Sequence, residues 1–488
     1  METTGGRSML RAVALAIVCA FALVATPVGR ADTSFGANDD TGKFQADAGA
    51  AFYEQMAALG LRQAVLTVRW LPSDPLALAD RPVLDLTVAA AKRAGLDVVF
   101  ATYPYPPREI QAGLARPAAF GDWLAELARA YPEVRQFVVG NEPNQPAFWR
   151  PQFVRSAQRS ARAFGPFLAA GYDALEAVDP DLTVVGVGLS PRGNDRPLAR
   201  SNVSTSPIRF LAALGRWYRS SGRLKPLMDG FSFHPYPNLA TDPLARGYPW
   251  PNAGFANLVR VKQALWDAFS GSGQPTTRDG LRLYLDEVGW QVGTEGRAGY
   301  AGLENVRVTT ETAQAGIYGD LIRRVLCDPD VAQVNIFGFR DDGLRTGFQA
   351  GLQRADGTFR ASADVVRAAI AEPGCATTIG AWRPARTVVG AKPPRVTSAG
   401  GRIAIELRAD EGATARACVL SGVQTLSSAG RILSSRLAGG TTCSEGTVRP
   451  RRRTTLRLTR VPGVQTLAVR LVAETNADRS TTTIVRLR

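Results

Sequence analysis

The chain has 488 residues, 45% of them hydrophobic and 21% charged, with a formal net charge of +15. That length exceeds what one hydrophobic core usually supports, so two domains are expected, and the composition is that of a soluble globular protein. A single histidine, His234, and the lack of any CxxC spacing argue against a zinc enzyme, and against a Ser-His-Asp hydrolase unless His234 is its base.

At the N-terminus, Arg7 and Arg11 precede an apolar run from Ala12 to Val28, and Gly29-Arg30-Ala31 puts small residues where a signal peptidase reads. Residues 1–31 therefore read as a secretory signal cleaved after Ala31. The alternative is an uncleaved anchor, for which the run is a little short. Cys19 is a poor lipid-attachment site, because Val18 precedes it and the apolar run continues past it. The expected location is secreted or cell-envelope associated. Four cysteines remain, Cys327, Cys375, Cys418 and Cys443. An even count in an exported chain predicts two disulfides, with three possible connectivities; pairing by neighbourhood joins Cys327 to Cys375 and Cys418 to Cys443.

From residue 34 to about 372, short apolar runs alternate with helix-period segments. The runs are FGAND (35–39), AVLTVRW (64–70), DVVFATYP (97–104), QFVVGNEPN (136–144), TVVGVGLSP (183–191), GFSFHPYP (230–237), LRLYLDEVGW (281–290) and VAQVNIFGFR (331–340). Continuous apolar runs mark parallel strands covered on both faces, and eight strand-helix units predict a (β/α)8 TIM barrel over residues 32–380. A doubly wound open sheet is disfavoured, since no G-x-G-x-x-G opens the first helix. A helix pattern runs from Phe153 to about Val178.

A Pro- and Arg-rich linker is read over residues 381–394. From Arg395 on, alternating runs such as GRIAIELRA, RTTLRLTRV and QTLAVRLVAE predict a small all-β sandwich of immunoglobulin-like type over 395–488. Residues 381–488 hold 19 Lys and Arg against 6 Asp and Glu, so most of the chain's excess positive charge lies there. Such a surface suits an anionic cell-envelope polymer, or is simply a solvated Arg-rich face. Nucleic acid is a poor partner for an exported chain without interleaved aromatic and basic residues.

Residues at the C-terminal ends of barrel strands face the active site. These are Asp39 on the first strand, Arg69 and Trp70 on the second, and Tyr103 on the third. The fourth supplies Asn141 and Glu142, the sixth His234 and Tyr236, the seventh Asp286 and Glu287, and the eighth Phe337 to Arg340. Two carboxylates across one rim, Glu142 and Glu287, are what glycosidic hydrolysis needs: one protonated to serve the leaving oxygen, the other ionised. A slip of one residue in strand register would put Asp286 in the place of Glu287. Trp149, Trp250 and Trp290 fall on loops or just past strand ends, where they could stack on sugar faces.

GNEPN, FHPYP, LDEVGW and TGFQAGLQRADG, taken together, resemble the signature of glycoside hydrolase clan A over roughly residues 34–372, with the flavour of family 39 and of the cellulase-like family 5. The resemblance implies a retaining enzyme acting on a carbohydrate without metal or cofactor. It makes Glu142 the acid/base, Glu287 the nucleophile and Asn141 the ligand of the sugar 2-hydroxyl. Tyr236 or His234 would orient Glu287, Arg69 would hold it ionised, and Tyr103, Trp290 and Phe337 complete the expected sugar-binding set. Two positions depart from the pattern: Tyr103 stands where many cellulase-like members carry His, and Phe337 where the clan often has Trp. The rival reading is a catalytically inactive barrel that binds polysaccharide or sits in the envelope. The sequence does not choose the sugar, the linkage, or endo over exo cleavage.

Overall fold

Strands buried on both faces must be covered twice, and a closed barrel ringed by helices does this for eight strands at once. The computed structural model of the protein describes residues 31–487, except 373, 376–378, 386–393, 410–411, 421–423, 427–431, 436–441, 451, 461–465 and 475–479; of 420, 424–426 and 432–435 it describes the backbone only. The signal expected over residues 1–31 lies outside the described residues, apart from Ala31.

The barrel strands are β1 (Ser34–Asn38), β2 (Gln63–Trp70), β3 (Asp97–Pro104), β4 (Gln136–Val139), β5 (Thr183–Leu189), β6 (Gly230–Phe233), β7 (Arg282–Val288) and β8 (Val331–Phe337). Each pairs in parallel with its sequence neighbours, and β8 closes on β1. The eight apolar runs thus fold as the expected TIM-type barrel. Inside it a small layer of Val65, Val99, Ala101, Val138 and Val185 packs with Tyr284. The larger residues of the same strands, such as Leu66, Phe100 and Phe137, point outward under the helices. That division follows from space: a closed eight-stranded barrel has room within only for its own modest side chains.

The surrounding helices are α1 (Ala50–Ala58), α2 (Arg81–Arg93), α3 (Pro117–Ala130), α4 (Ser160–Val178), α5 (Pro207–Ser221), α6 (Leu258–Phe269), α7 (Glu311–Val325) and α8 (Ala361–Ala371). Their ends follow local chemistry. Pro207 opens α5 and Gly222, at φ 73°, closes it; the Thr310 hydroxyl caps α7 by accepting from Ala313 N. The helix expected from Phe153 starts only at Ser160. Residues 153–158 form a hairpin instead, with Arg155 at φ 55° in its turn. Gln152 holds this arrangement, donating to Pro143 O and Trp149 O and accepting from Ser160 Oγ.

Beyond the barrel, β9 (Arg395–Ala399), β10 (Arg402–Leu407) and β13 (Thr454–Thr459) form one antiparallel sheet. A second contains β11 (Ala413–Leu420), β12 (Cys443–Val448), β14 (Thr466–Ala473) and β15 (Ser480–Arg486). Their inner faces share one apolar layer, separate from the barrel core, with Ile403, Ile405, Leu456 and Leu458 from one sheet and Ala415, Val469 and Leu471 from the other. This is the small sandwich that the alternating runs predict. Cys327–Cys375 ties the end of α7 to the segment after α8, and Cys418–Cys443 joins facing positions of β11 and β12. No described helix is long and apolar enough to cross a membrane.

A buried ion pair supports the loops that follow β7 and β8. The side chains of Arg360 and Asp341 are both fully buried. Arg360 Nη1 donates to Asp341 Oδ1 at 2.8 Å and to Gly351 O at 2.8 Å, and Tyr300 OH donates to Asp341 Oδ2 at 2.6 Å. Removing one partner strands the other charge away from water, which typically costs more than the pair itself contributes. Arg360→Met is expected to destabilise the protein by about 3 kcal/mol, measured from the urea unfolding midpoint; a loss within the error of the method would contradict this role.

Candidate active site

Glycine and a strained glutamate turn the chain at the end of β4. Gly140 has φ 115°, and a Cβ there would lie 2.6 Å from Val187 O and 2.7 Å from a Phe164 ring carbon, so only glycine fits. Two residues on, Glu142 has φ 41°, left-handed backbone that non-glycine residues adopt rarely and mostly at functional sites. Its amide donates to Gly188 O at 2.7 Å and its carbonyl accepts from Gln145 N at 2.8 Å. Gly188, at φ 67°, sits where the β5–β6 register slips by one residue, and a Cβ there would meet Gly140 O at 2.8 Å. The loop is then locked by the fully buried Asn144, which donates to Ser190 O and Thr205 O and accepts from Ser190 N. Sequence reasoning had singled out Asn141 in this motif and passed over Asn144; burial of an amide in three hydrogen bonds is not visible in a sequence.

A register irregularity also places Glu287. The pairing of β7 with β8 shifts by one residue between Leu285 and Val288. Such bulges re-aim side chains beside active sites. Here two consecutive acids go to different places. Asp286 is buried, takes the hydroxyl of Ser232, and does not line the cleft, whereas Glu287 does. Burial pushes the Asp286 carboxyl up to about 7, against the Ser232 bond and the charge of His234.

The cleft has a volume of about 990 Å³, and Glu142 and Glu287 both line it. One oxygen of each carboxylate and one nitrogen of His234 lie within 4.8 Å of one another. His234 Nδ1 is hydrogen-bonded to Glu142 Oε1 at 3.2 Å and lies 3.3 Å from Glu287 Oε2, so one nitrogen stands beside both acids. Glu287 accepts from Tyr236 OH at 2.9 Å and Asn38 Nδ2 at 3.4 Å. Asn38 was missed in the sequence, where its neighbour Asp39 drew attention. The Asp39 carboxyl instead accepts from Arg340 N and Thr41 N.

Burial disfavours a charged His234, but Glu287 and Glu142 overcome it and push the imidazole up to about 9. At neutral pH a cation therefore lies between the two acids. Burial likewise raises Glu287; the His234 charge opposes this, the Glu142 charge adds to it, and the Tyr236 bond opposes it. Tyr236 is held well above the ordinary phenol value by burial and by the neighbouring acids, so it stays a donor. The same three side chains have the donor atoms of a metal site. A metal there would need the imidazole neutral, in competition with the two acids that raise it.

Two expectations change. Arg69 does not reach Glu287: its Nε donates to Tyr103 OH at 3.1 Å, and its guanidinium lies 5.0 Å from the Tyr105 ring centre. The nucleophile position is thus not held by an arginine, and its value is raised, not lowered. Nor do the three tryptophans line the cleft. Trp290 is buried in the core with Nε1 donating to Asp242 O, Trp149 packs edge-on against Phe164 and Phe167, and Trp250 lies over Arg209. Trp149 and Trp290 were drawn into the core, where their loops fold back over the barrel.

The aromatic walls come from elsewhere. Phe337, Phe348 and Tyr236 form one cluster, with ring centres 5.2 to 6.2 Å apart. Tyr103 and Phe148 face each other at 5.8 Å on another part of the lining, and Phe44 is 79% exposed at the lip. Asn141, Arg69, Tyr103, Tyr236 and Phe337 all line the cleft, with His234 buried behind it.

A scan against protein-family models and a search of curated proteins return no match. Among solved structures, the chain is similar to a family 39 glycoside hydrolase from the gut symbiont Bacteroides cellulosilyticus, at 14% identity over 88% of this chain and 81% of that one, with a TM-score of 0.46. It is similar to a family 39 β-xylosidase from Caulobacter crescentus, at 15% identity over 89% and 98%, TM-score 0.46. A third is a GH5_18 protein from Streptomyces cattleya in complex with GlcNAc, at 17% identity over 71% and 83%, TM-score 0.46.

Because the folded-state value of His234, about 9, lies above the unfolded value of about 6.5, its contribution to stability is complete below about 6.5. It is lost as pH rises through about 9. His234→Gln should be less stable than the parent at pH 6, and the difference should shrink by pH 10. Thermal melts across that range check this; a pH-independent difference would contradict it.

Proposed function

We propose that the protein is an exported retaining glycoside hydrolase that cleaves O-glycosidic bonds of a poly- or oligosaccharide by double displacement. The observation that carries this reading is the carboxylate pair itself: oxygens from two strands within 4.8 Å, joined by one imidazole, on the lining of a cleft with aromatic walls. Retaining enzymes hold their carboxyl groups about 5 to 5.5 Å apart, while inverting ones leave wider room for a water.

Roles follow from how firmly each acid is held. Glu287 accepts hydrogen bonds from Tyr236 OH and Asn38 Nδ2 and lies 3.3 Å from His234 Nδ1, a fixed aim that suits the nucleophile that attacks the anomeric carbon. Glu142 has only His234 as a side-chain partner, which leaves it free to turn its proton toward the leaving oxygen. In the first step, the Glu142 proton goes to the leaving group as Glu287 bonds to the sugar. In the second, Glu142 takes a proton from water, and that water displaces Glu287. The reaction passes negative charge from Glu287, as it attacks, to Glu142, once its proton has left. His234 Nδ1 is almost equidistant from both, so its positive charge lies beside either carboxylate. Asn141 is assigned to the sugar 2-hydroxyl, and the sandwich is taken to be catalytically dispensable.

Glu287→Ala is expected to lose turnover of every glycoside, by at least about 10⁴-fold in kcat. Glu142→Ala should still form the glycosyl-enzyme from dinitrophenyl glycosides, whose leaving group needs no proton, and azide should rescue its second step. Inversion of anomeric configuration, followed by NMR, would sink the assignment. A chain ending at Ala385, which donates to Gln263 Oε1 on α6, should retain activity on small glycosides; a well-folded but inactive truncated barrel would show that the sandwich contributes to the site.

A further inference from the structure

Charges lining the cleft are matched unequally. Every carboxylate there is already hydrogen-bonded within the protein. Asp39 accepts from Arg340 N and Thr41 N, Asp40 from Thr67 N and Lys43, and Asp342 from Phe348 N, while Glu142 and Glu287 share His234. The arginines are the opposite case. Arg69, Arg192, Arg307 and Arg340 line the same cleft, and among the described residues none has a carboxylate oxygen within 4 Å.

Arg69 is the most prepared of the four. It is exposed to the cleft at the end of β2. Tyr103 OH fixes its Nε, and the Tyr105 ring lies 5.0 Å from its guanidinium carbon, so the plane of the group is set before any ligand arrives. The outer fork, Nη1 and Nη2, has no hydrogen-bond partner among the described residues. A pre-oriented guanidinium with its fork open is the geometry that receives a planar oxyanion through two parallel bonds. Neutral sugars need no such group, and leaving a cation beside a desolvated ligand without a counter-charge is unfavourable.

Resting on the glycosidase reading, we propose that the substrate is an acidic glycan whose uronic acid carboxylate is received by Arg69 beside the carboxylate pair. The remaining three arginines line the path of neighbouring acidic residues. The sandwich carries charge of the same sign. Arg416 and Arg470 stand directly opposite each other on the solvent face of β11 and β14, a like-charge pairing that costs stability unless an anion lies across it. Glu445 offsets the first of them, at 3.1 Å.

The test compares one linkage in two charge states. Polygalacturonate, alginate and glucuronoxylan are each assayed beside their carboxyl-reduced forms, with dextran sulfate as a sulfate-bearing competitor and neutral aryl glycosides as controls. Binding of each polymer to Glu287→Ala is measured by affinity electrophoresis. The expected result is binding and cleavage of at least one acidic polymer at least about tenfold better than its reduced form. Arg69→Met should bring that ratio toward one, with Arg69→Lys between the two because it keeps the charge but loses the fork. Equal or better action on the reduced polymers, or an Arg69→Met variant with an unchanged ratio, would overturn the inference while leaving the glycosidase reading standing. Stronger competition by dextran sulfate than by any uronate polymer would overturn the carboxylate assignment. Hydrolysis of no glycan at all would overturn the glycosidase reading, and the binding ratio to Glu287→Ala would still decide the role of Arg69.

Discussion

One shared histidine organises the cleft. Two carboxylates brought within 4.8 Å repel each other, and burial with the Glu142 charge raises Glu287. Their proximity is tolerable because His234 stands between them with its ring nitrogen 3.2 and 3.3 Å away. The histidine gains as much from them: it is almost wholly buried and would lose its charge without two acids beside it. The three groups hold one another in place, and the surrounding features act by keeping that geometry fixed.

Several of those features are departures from regular structure. A glutamate in left-handed backbone, a glycine turn with no room for a Cβ, and register slips in β5–β6 and β7–β8 all sit at the same end of the barrel. An ideal barrel would alternate its residues in and out, sending Asp286 and Glu287 to opposite faces. The slip in β7 lets one acid stay in the barrel with Ser232 while the next enters the cleft. Strain of this kind persists only where neighbours over-determine it. Asn144 supplies that rigidity on the β4 side, and the buried Arg360–Asp341 pair supplies it beneath the loops after β7 and β8.

Electrostatics divides the molecule into regions with different tasks. Around the glutamates the charges are paired within the protein and closed to partners. Along the cleft lining, arginines are fixed by neutral contacts, as Arg69 is by Tyr103 and Tyr105 and Arg340 by Gln353 and the Phe52 ring. Fixing a cation with neutral groups keeps its charge available to a ligand, whereas a carboxylate partner would consume it. On the sandwich, the exposed arginines lie on solvent faces where salt screens their charge.

The sequence alone determined the eight barrel strands, their order, the sandwich and the two acids at the strand ends, because hydrophobic period and strand length are local properties. The family resemblance carried by FHPYP and its companion motifs also implied that Tyr236 or His234 stands beside Glu287. Only the tertiary structure decided what each side chain touches. Arg69 turned to Tyr103, its direct partner in the β2–β3 register, and to the Tyr105 ring beyond it. Trp149 and Trp290 went into the core, Trp250 packed with Arg209, and Phe348, far along the loop after β8, took a place in the wall beside Phe337. Choosing Glu287 over Asp286 required the register slip, which is a property of two paired strands and is written in neither one. Charge states came last of all, since the value of His234 depends on acids 92 and 53 positions away in the chain, brought together by closure of the barrel.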